Sequence, residues 1–357
     1  MRRNTLLIKS EAEIIHETVK QVTKMKTYTI YGIGAALVDT EIKVSDQDLQ
    51  QMRVEKGLMT LVDEPRQDEL LTHLTEHLTT AEHASGGSAA NSIIAAALLG
   101  APTYFACKVA HDQYGDIYLS DLDRAGVAYE EGVARGIGTT GKCLVLITPD
   151  AERSMNTFLG ISASLSLDQL NVPALKESEW LYMEAYQAPS PTGMEACLKA
   201  REVAIEQGVK IAVSFSDPGM VEHFRSQIDA LVGDRVDLIF CNTQEALTYA
   251  KTDSLEVAIE TLKTKAKQFV VTCGSEGAMA YDGQSLHSIP AHQVHAVDTN
   301  GAGDMFAGAF LYALARGEDF ATAGRFGSLA AGTIVGQYGP RLSAESCKHL
   351  RDSFFGQ

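Results

Sequence analysis

The 357-residue chain is poor in several features that would assign a class by themselves. It has no apolar run of about 18 residues, so no membrane-spanning helix is expected. Its six cysteines (Cys107, Cys143, Cys197, Cys241, Cys273, Cys347) are scattered without a C-x-x-C pair. That spacing offers neither a disulfide framework nor a zinc ribbon, and it implies reduced thiols in the cytoplasm. Positive charge is scarce: 30 Lys and Arg against 46 Asp and Glu leave a net charge of −16. Such a deficit argues against nucleic acid or an anionic membrane as partner, since both need cationic surface. Any polyphosphate site must then be locally positive or metal-assisted. Met1-Arg2-Arg3 followed by Thr5 to Ile8 imitates a signal peptide, but its apolar run is too short. Residues 1–25 are therefore expected to be a disordered or frayed extension, with the fold occupying 26–357.

What is present fits a globular α/β protein: 45% hydrophobic and 21% charged residues, with length for one large domain and a smaller one. From Glu179 onward strand and helix patterns alternate. Trp180 to Met183, Lys210 to Phe215, Leu238 to Phe240 and Phe269 to Cys273 read as strands. Thr192 to Gln207, Val221 to Leu231 and Leu255 to Lys267 read as helices. Alternation of this kind predicts a doubly wound, mostly parallel sheet with ligands at the carboxyl ends of its strands.

One stretch, His295 to Gly308, organises the rest. Gln293 to Val297 could leave a sheet as a strand end, and Met305 to Arg316 reads as a buried helix. Between them, Gly301-Ala302-Gly303 lets successive amides converge at a helix start, a place for negative charge. Asp304 beside that hole is suited to activate a hydroxyl against a phosphoryl group. A plain alternative is a glycine turn with Asp304 as a first-turn helix acid.

The longer string Asp298-Thr299-Asn300-Gly301-Ala302-Gly303-Asp304 resembles the C-terminal signature of the ribokinase-like (PfkB) carbohydrate and nucleoside kinases, and looks most like the adenosine kinases. The resemblance runs from Tyr28 to the C-terminus. It implies a three-layer ribokinase-like α/β fold with a smaller β-rich lid, here about 39–80 and 127–150. It casts Asp304 as catalytic base, Gly301, Ala302 and Gly303 as anion hole, and Arg153 as a contact to the transferring phosphate. For Arg153 the alternative is a surface cation.

Gly86-Gly87-Ser88-Ala89-Ala90-Asn91 matches the family's Gly-Gly-x-x-x-Asn, so Gly86, Gly87 and Asn91 are expected to grip the acceptor with Asp39. Read without the family, Asp39 is a turn acid and the glycines a tight strand–helix turn. Asn242 and Glu245 resemble its N-x-x-E, which organises Mg²⁺ through water. They also spell a helix capping box, and both readings can hold together. Thr272, Gly274 and Gly277 match a loop lining ATP, and Asp298 with Thr299 can build a K⁺ site. Asp112 to Asp116 and Thr140-Gly141-Lys142-Cys143 also follow the family pattern. Ser216-Asp217-Pro218-Gly219 departs from it, because adenosine kinases usually carry a Phe where Gly219 stands.

Three other motifs fail. Gly32-Ile33-Gly34 lacks the small residue a dinucleotide fingerprint needs where Leu37 sits. Gly136 to Lys142 nearly spells a phosphate loop, but Cys143 replaces Ser or Thr and a β run follows. His73-Leu74-Thr75-Glu76-His77 matches a zinc motif but lies in a polar helix expected over 67–78. The reading is therefore a cytoplasmic, ATP- and Mg²⁺-dependent kinase of a small molecule, monomeric or homodimeric. A nucleoside is the first acceptor and adenosine the leading one. A sugar kinase, a silent ligand-binding protein and an NAD-dependent oxidoreductase are the rivals.

Overall fold

The structure is a computed structural model that describes residues 26–74, 82–150 and 152–356. The expected extension, residues 1–25, lies outside that range, as do Thr75, Glu76 and His77 of the zinc-like motif. His73 ends the Glu64–His73 helix. Among the described residues no three His, Cys, Asp or Glu side chains gather as a metal group, and no helix is long and apolar enough to cross a membrane. All six cysteines are free.

Nine strands form the main sheet. In spatial order they are Leu286–Ile289, Ala278–Tyr281, Ala266–Thr272, Val236–Asn242, Lys210–Ser214, Ser178–Glu184, Tyr28–Ile33, Thr103–Ala106 and Val127–Ala128. Every pairing is parallel except two, because Ala278–Tyr281 runs antiparallel to both of its neighbours. Helices cover both faces, as buried parallel strands require. One core packs around the Ser88–Leu99, Ala302–Ala315 and Phe320–Val335 helices. The other packs around Pro191–Gln207, Arg225–Val232 and Leu255–Lys265. This is a ribokinase-like α/β arrangement.

A second sheet of five strands runs Met59–Leu61, Arg153–Phe158, Gly141–Ile147, Leu37–Lys43 and Glu82–Gly86. Leu144 and Leu146 face a small core built with the Asp46–Gln51 and Glu64–His73 helices. Cys143 and Val145 face the other way, toward Met155 and the site. The expected lid limits shift accordingly. Residues 127–136 do not join this sheet: Val127–Ala128 extends the main sheet, and Arg135–Gly136 pairs with Val109–Ala110. Strand Arg153–Phe158 supplies what those residues do not, because its hairpin partner is Gly141–Ile147.

Two other expectations change. Gln293 to Val297 forms no strand; the chain leaves the sheet at Ile289, and the amides of Val297 and Asp298 both donate to the Val335 carbonyl. The helix expected over 221–231 is two, Pro218–His223 and Arg225–Val232, parted at Phe224.

The 302–315 and 88–99 helices approach closely at Gly308. A Cβ there would lie 2.9 Å from the Ala95 Cβ and against the Ser92 carbonyl. Gly308→Val is expected to lower the unfolding free energy by about 1–3 kcal/mol in urea titrations, through overpacking. An unchanged midpoint would show that the two helices can part without cost.

Candidate active site

The Ala302–Ala315 helix begins where Gly301 adopts φ +72°, with the Pro340 backbone pressed against its Cα. Only glycine takes that conformation without strain, and a Cβ would strike Pro340 as well. The Ala302 amide turns back to the Thr299 carbonyl at 3.3 Å, and the first helical bond runs from Met305 to Gly301 at 2.8 Å. The amides of Gly303 and Asp304 are thus left at the open, positive end of the helix.

Asp304 stands in that first turn, half-buried, and two side chains orient it. Ser88 Oγ donates to Oδ1 at 2.6 Å and Asn91 Nδ2 donates to Oδ2 at 3.3 Å. Both donors lie in the first turn of the 88–99 helix, one turn apart, so that helix start presents them together. Asn91 Oδ1 is buried and has no partner, an acceptor left for a ligand hydroxyl. Withdrawal from water pushes the Asp304 carboxyl up to about 6, against the lowering effect of Ser88 and Asn91.

Asp39 sits in the Leu37–Lys43 strand, opposite Ala84 and Cys143. Its carboxylate occupies the space a Cβ on Gly86 would fill, so Gly86 makes room for Asp39 and does not line the cavity. Gly87, at φ +97°, does line it, with its Cα against the Ala35 carbonyl. Burial raises Asp39 to about 7, although Arg341 and Arg153 pull it down.

One cavity of about 490 Å³ at the carboxyl edge of the main sheet collects most of the expected residues: Asp39, Gly87, Asn91, Arg153, Asn242, Glu245, Thr272 and Thr299 to Asp304. Gly86, Gly274, Gly277 and Asp298 stand behind its walls. Gly277, at φ +97°, holds its loop against Ile289 and Pro290. Thr140 and Asp112 are structural: Thr140 Oγ1 donates to Asp112 Oδ1 at 2.6 Å, and the Ala110 amide donates to Thr140 Oγ1.

Asn242 and Glu245 form the capping box of the Thr243–Ala250 helix. The Glu245 carboxylate is 4% exposed, bonds only within that box, and is raised to about 7 by burial, with Asp217 and Asp304 adding to the shift. A buried carboxylate on a cavity wall with no cation beside it suits Mg²⁺ held through water. The Asp298 carboxylate, the expected K⁺ ligand, is already engaged by protein donors. Its Oδ1 accepts from the Asn300 amide at 2.9 Å, and its Oδ2 from the Gly339 amide at 2.8 Å and from Arg153. A guanidinium already neutralises that carboxylate.

Arg153 is therefore no surface cation. It is 9% exposed by side chain and pairs with Asp298 and with Glu41 at 3.2 Å, which joins the second sheet to the 298–301 loop. Arg341 is likewise committed, to Asp121 at 2.8 Å and to Ser85.

Sequence reasoning missed several walls. Ser88 lies inside the 86–91 motif and its hydroxyl was the available signal. Glu184 and Tyr186 belong to a strand end that carries no motif, and Ser216, which opens the segment that departs from the family, takes a left-handed φ of +67°. Leu37, Met59, Leu61, Met155 and Leu159 form an apolar wall from and beside the second sheet. Where Gly219 departs from the family, Met220 and Tyr186 reach the cavity instead.

A carboxyl raised in the fold binds protons more tightly folded than unfolded, so its contribution to stability is lost as pH rises through the folded pKa. Asp39→Asn is therefore expected to raise the thermal midpoint at pH 8 and leave it nearly unchanged at about pH 3, below the unfolded pKa. The upper bound at pH 8 is on the order of 4 kcal/mol for a shift of roughly three units. A variant less stable than the parent at pH 8 would contradict the burial argument.

Comparison with known proteins agrees with this geometry. A model of the pfkB family carbohydrate kinases matches residues 60–347. The adenosine kinase of Saccharomyces cerevisiae is 27% identical over 346 residues, covering 91% of this chain and 100% of the yeast protein. Probable fructokinase-2 of Arabidopsis thaliana is 30% identical over 244 residues, 64% of this chain and 71% of that one. Among solved structures, the adenosine kinase from Sinorhizobium meliloti superposes with a TM-score of 0.84 at 31% identity, covering 92% and 99% of the two chains. A glycine-started helix with an oriented Asp304 and a family match over most of the chain lead to one conclusion: this is an ATP-dependent kinase, and it belongs to the pfkB family of carbohydrate kinases.

Proposed function

We propose that this cytoplasmic enzyme phosphorylates the primary hydroxyl of a nucleoside, adenosine first, with Asp304 as general base. The observation that carries the reading is the pairing of two walls in one cavity. On one side stands Asp304 with the amides at its helix start. On the other stand Leu37, Met59, Leu61, Met155 and Leu159, with Tyr186 beside them. A planar heterocycle fits such an apolar wall, while the free Asn91 Oδ1 and the Asp39 carboxylate suit ribose hydroxyls.

In this reading the acceptor hydroxyl lies against Asp304, which takes its proton as the oxygen attacks the γ-phosphate of ATP in line. The free amides of Gly303 and Asp304 meet the charge that builds on the phosphoryl oxygens, and Gly301 shapes the turn; the Ala302 amide expected there is taken by the Thr299 carbonyl. Thr272 and the loop held by Gly274 and Gly277 flank the nucleotide. Mg²⁺, held through water by Asn242 and Glu245, would neutralise phosphate charge. Arg153 must exchange Asp298 and Glu41 for the phosphoryl group to take part, a short move from where it stands. The second sheet acts as the lid that excludes water.

A sugar acceptor is the second reading. It is favoured by the match to fructokinases and by Gly219, which stands where adenosine kinases usually carry Phe. ADP release from Mg-ATP with adenosine, inosine, guanosine, ribose, fructose or no acceptor separates the two. Strong turnover with adenosine and none with sugars is expected, and turnover with a sugar alone would overturn the nucleoside assignment.

Two further outcomes follow from the charge state of the site. The acceptor kcat/KM is expected to rise with pH through about 6, where Asp304 loses its proton, and to level off above 7. A flat profile from pH 5 to 8 would remove Asp304 as base. Because both Asp298 oxygens accept backbone amides, from Asn300 and Gly339, whether or not Arg153 leaves, replacing K⁺ with Na⁺ at constant ionic strength should change the rate by less than about twofold, the scale of a general salt effect. Strong K⁺-specific activation would contradict that geometry.

A further inference from the structure

Glu184 ends the Ser178–Glu184 strand at the centre of the main sheet, with 0% of its surface exposed and its carboxylate at the cavity edge. Its two oxygens serve two different segments. Oε1 accepts from the Ala35 amide at 2.7 Å, and Oε2 accepts from the Ala89 amide at 2.7 Å. Ala35 lies on the turn that leads from the first strand to Leu37 and Asp39. Ala89 lies in the first turn of the helix that presents Ser88 and Asn91 to Asp304. The packing leaves no slack between them: a Cβ on Gly34 would lie 2.6 Å from the Ala89 Cβ and 2.7 Å from Glu184 Oε1.

We propose that Glu184 is a positioning residue: its carboxylate ties the 34–36 turn to the 87–89 helix start and so sets Asp39, Ser88 and Asn91 in register with Asp304. A buried carboxylate is costly unless its bonds offset the lost water, and two amide bonds to an anion are of the strong kind. The pair of donors also explains the residue type. Two amides facing one side chain need two acceptor oxygens, and only a carboxylate supplies them; Gln offers one oxygen and turns an NH₂ toward the second amide. Gln187 Nε2 supports the same carboxylate at 3.4 Å. The two segments also meet where Gly87 lies against the Ala35 carbonyl and where Leu37 pairs with Gly86; the Glu184 carboxylate adds the tie that fixes the Ala35 and Ala89 amides to one point.

The inference rests on the acceptor-site reading above, and the test separates the two. Glu184→Gln, in the full-length protein, is compared with the parent by amide hydrogen exchange on peptides covering 34–37 and 87–91, with 242–246 as reference. Acceptor and ATP kinetics are measured separately with whichever acceptor turns over. Exchange is expected to accelerate in both tied segments and not in the reference. The acceptor kcat/KM is expected to fall by about tenfold to a hundredfold, as for a lost charged bond or a small misplacement, while the KM for ATP stays within about twofold. Unchanged exchange in the two segments, or acceptor and ATP parameters falling in the same proportion, would overturn the proposal. If the parent turns over no acceptor in the panel, the acceptor reading fails, and the exchange comparison still decides whether Glu184 forms the tie. Glu184→Asp, which keeps the charge but shortens the reach, replaces the Gln variant should that one not fold, with the same expected and overturning results.

Discussion

Two helices begin beside each other, and one carboxylate is held between their first turns. The 302–315 helix carries Asp304; the 88–99 helix carries Ser88 and Asn91, which donate to its two oxygens. Every other feature of the site depends on that meeting. Gly301 has to turn left-handed for the 302–315 helix to start against Pro340. Gly308 has to be bare for the two helices to lie close. The 302–315 helix follows a loop from the main sheet and the 88–99 helix follows the second sheet's Glu82–Gly86 strand, so the site forms where the two sheets meet.

The charge arrangement follows from how little positive charge the chain has. Asp39, Glu184, Glu245 and Asp304 are all raised by removal from water, and all face one cavity. The guanidiniums at hand, Arg153 and Arg341, are paired with Glu41, Asp298 and Asp121. A protein of net charge −16 therefore offers phosphate backbone amides and a helix start in place of free cations. In the proposed reaction Mg²⁺ would take its place at Glu245, and the paired Arg153 would be a cation kept in reserve.

Much of this was legible in the chain. The alternation after residue 179 predicted the parallel sheet, and the 86–91 and 298–304 motifs met in one cavity because the second sheet's Glu82–Gly86 strand and the loop beyond Ile289 each deliver a helix start to it. What was not legible has physical causes. Glu184 reads as an ordinary strand residue, since its role depends on two amides contributed by segments 149 and 95 positions away. The apolar wall of Met59, Leu61 and Met155 comes from short strands of the second sheet, whose pairing across the chain no local pattern encodes. The strand expected at 293–297 failed because β-branched residues there donate to a helix end, Val335, rather than to a sheet. Arg153 lines the cavity, but its partners, Asp298 and Glu41, could only be read from the fold.

The account stands or falls on Asp304 as the group that activates the acceptor. The most direct test is the single-turnover rate of phosphoryl transfer in Asp304→Asn, measured beside the affinity of the same variant for Mg-ATP. Asn keeps the size of the side chain and can still meet Ser88, but it cannot take a proton. The account predicts a rate lower by about a thousandfold or more, within or beyond the range of general-base removal, with nucleotide affinity nearly unchanged. Transfer at the parent's rate would contradict it and return Asp304 to the role of a first-turn helix acid.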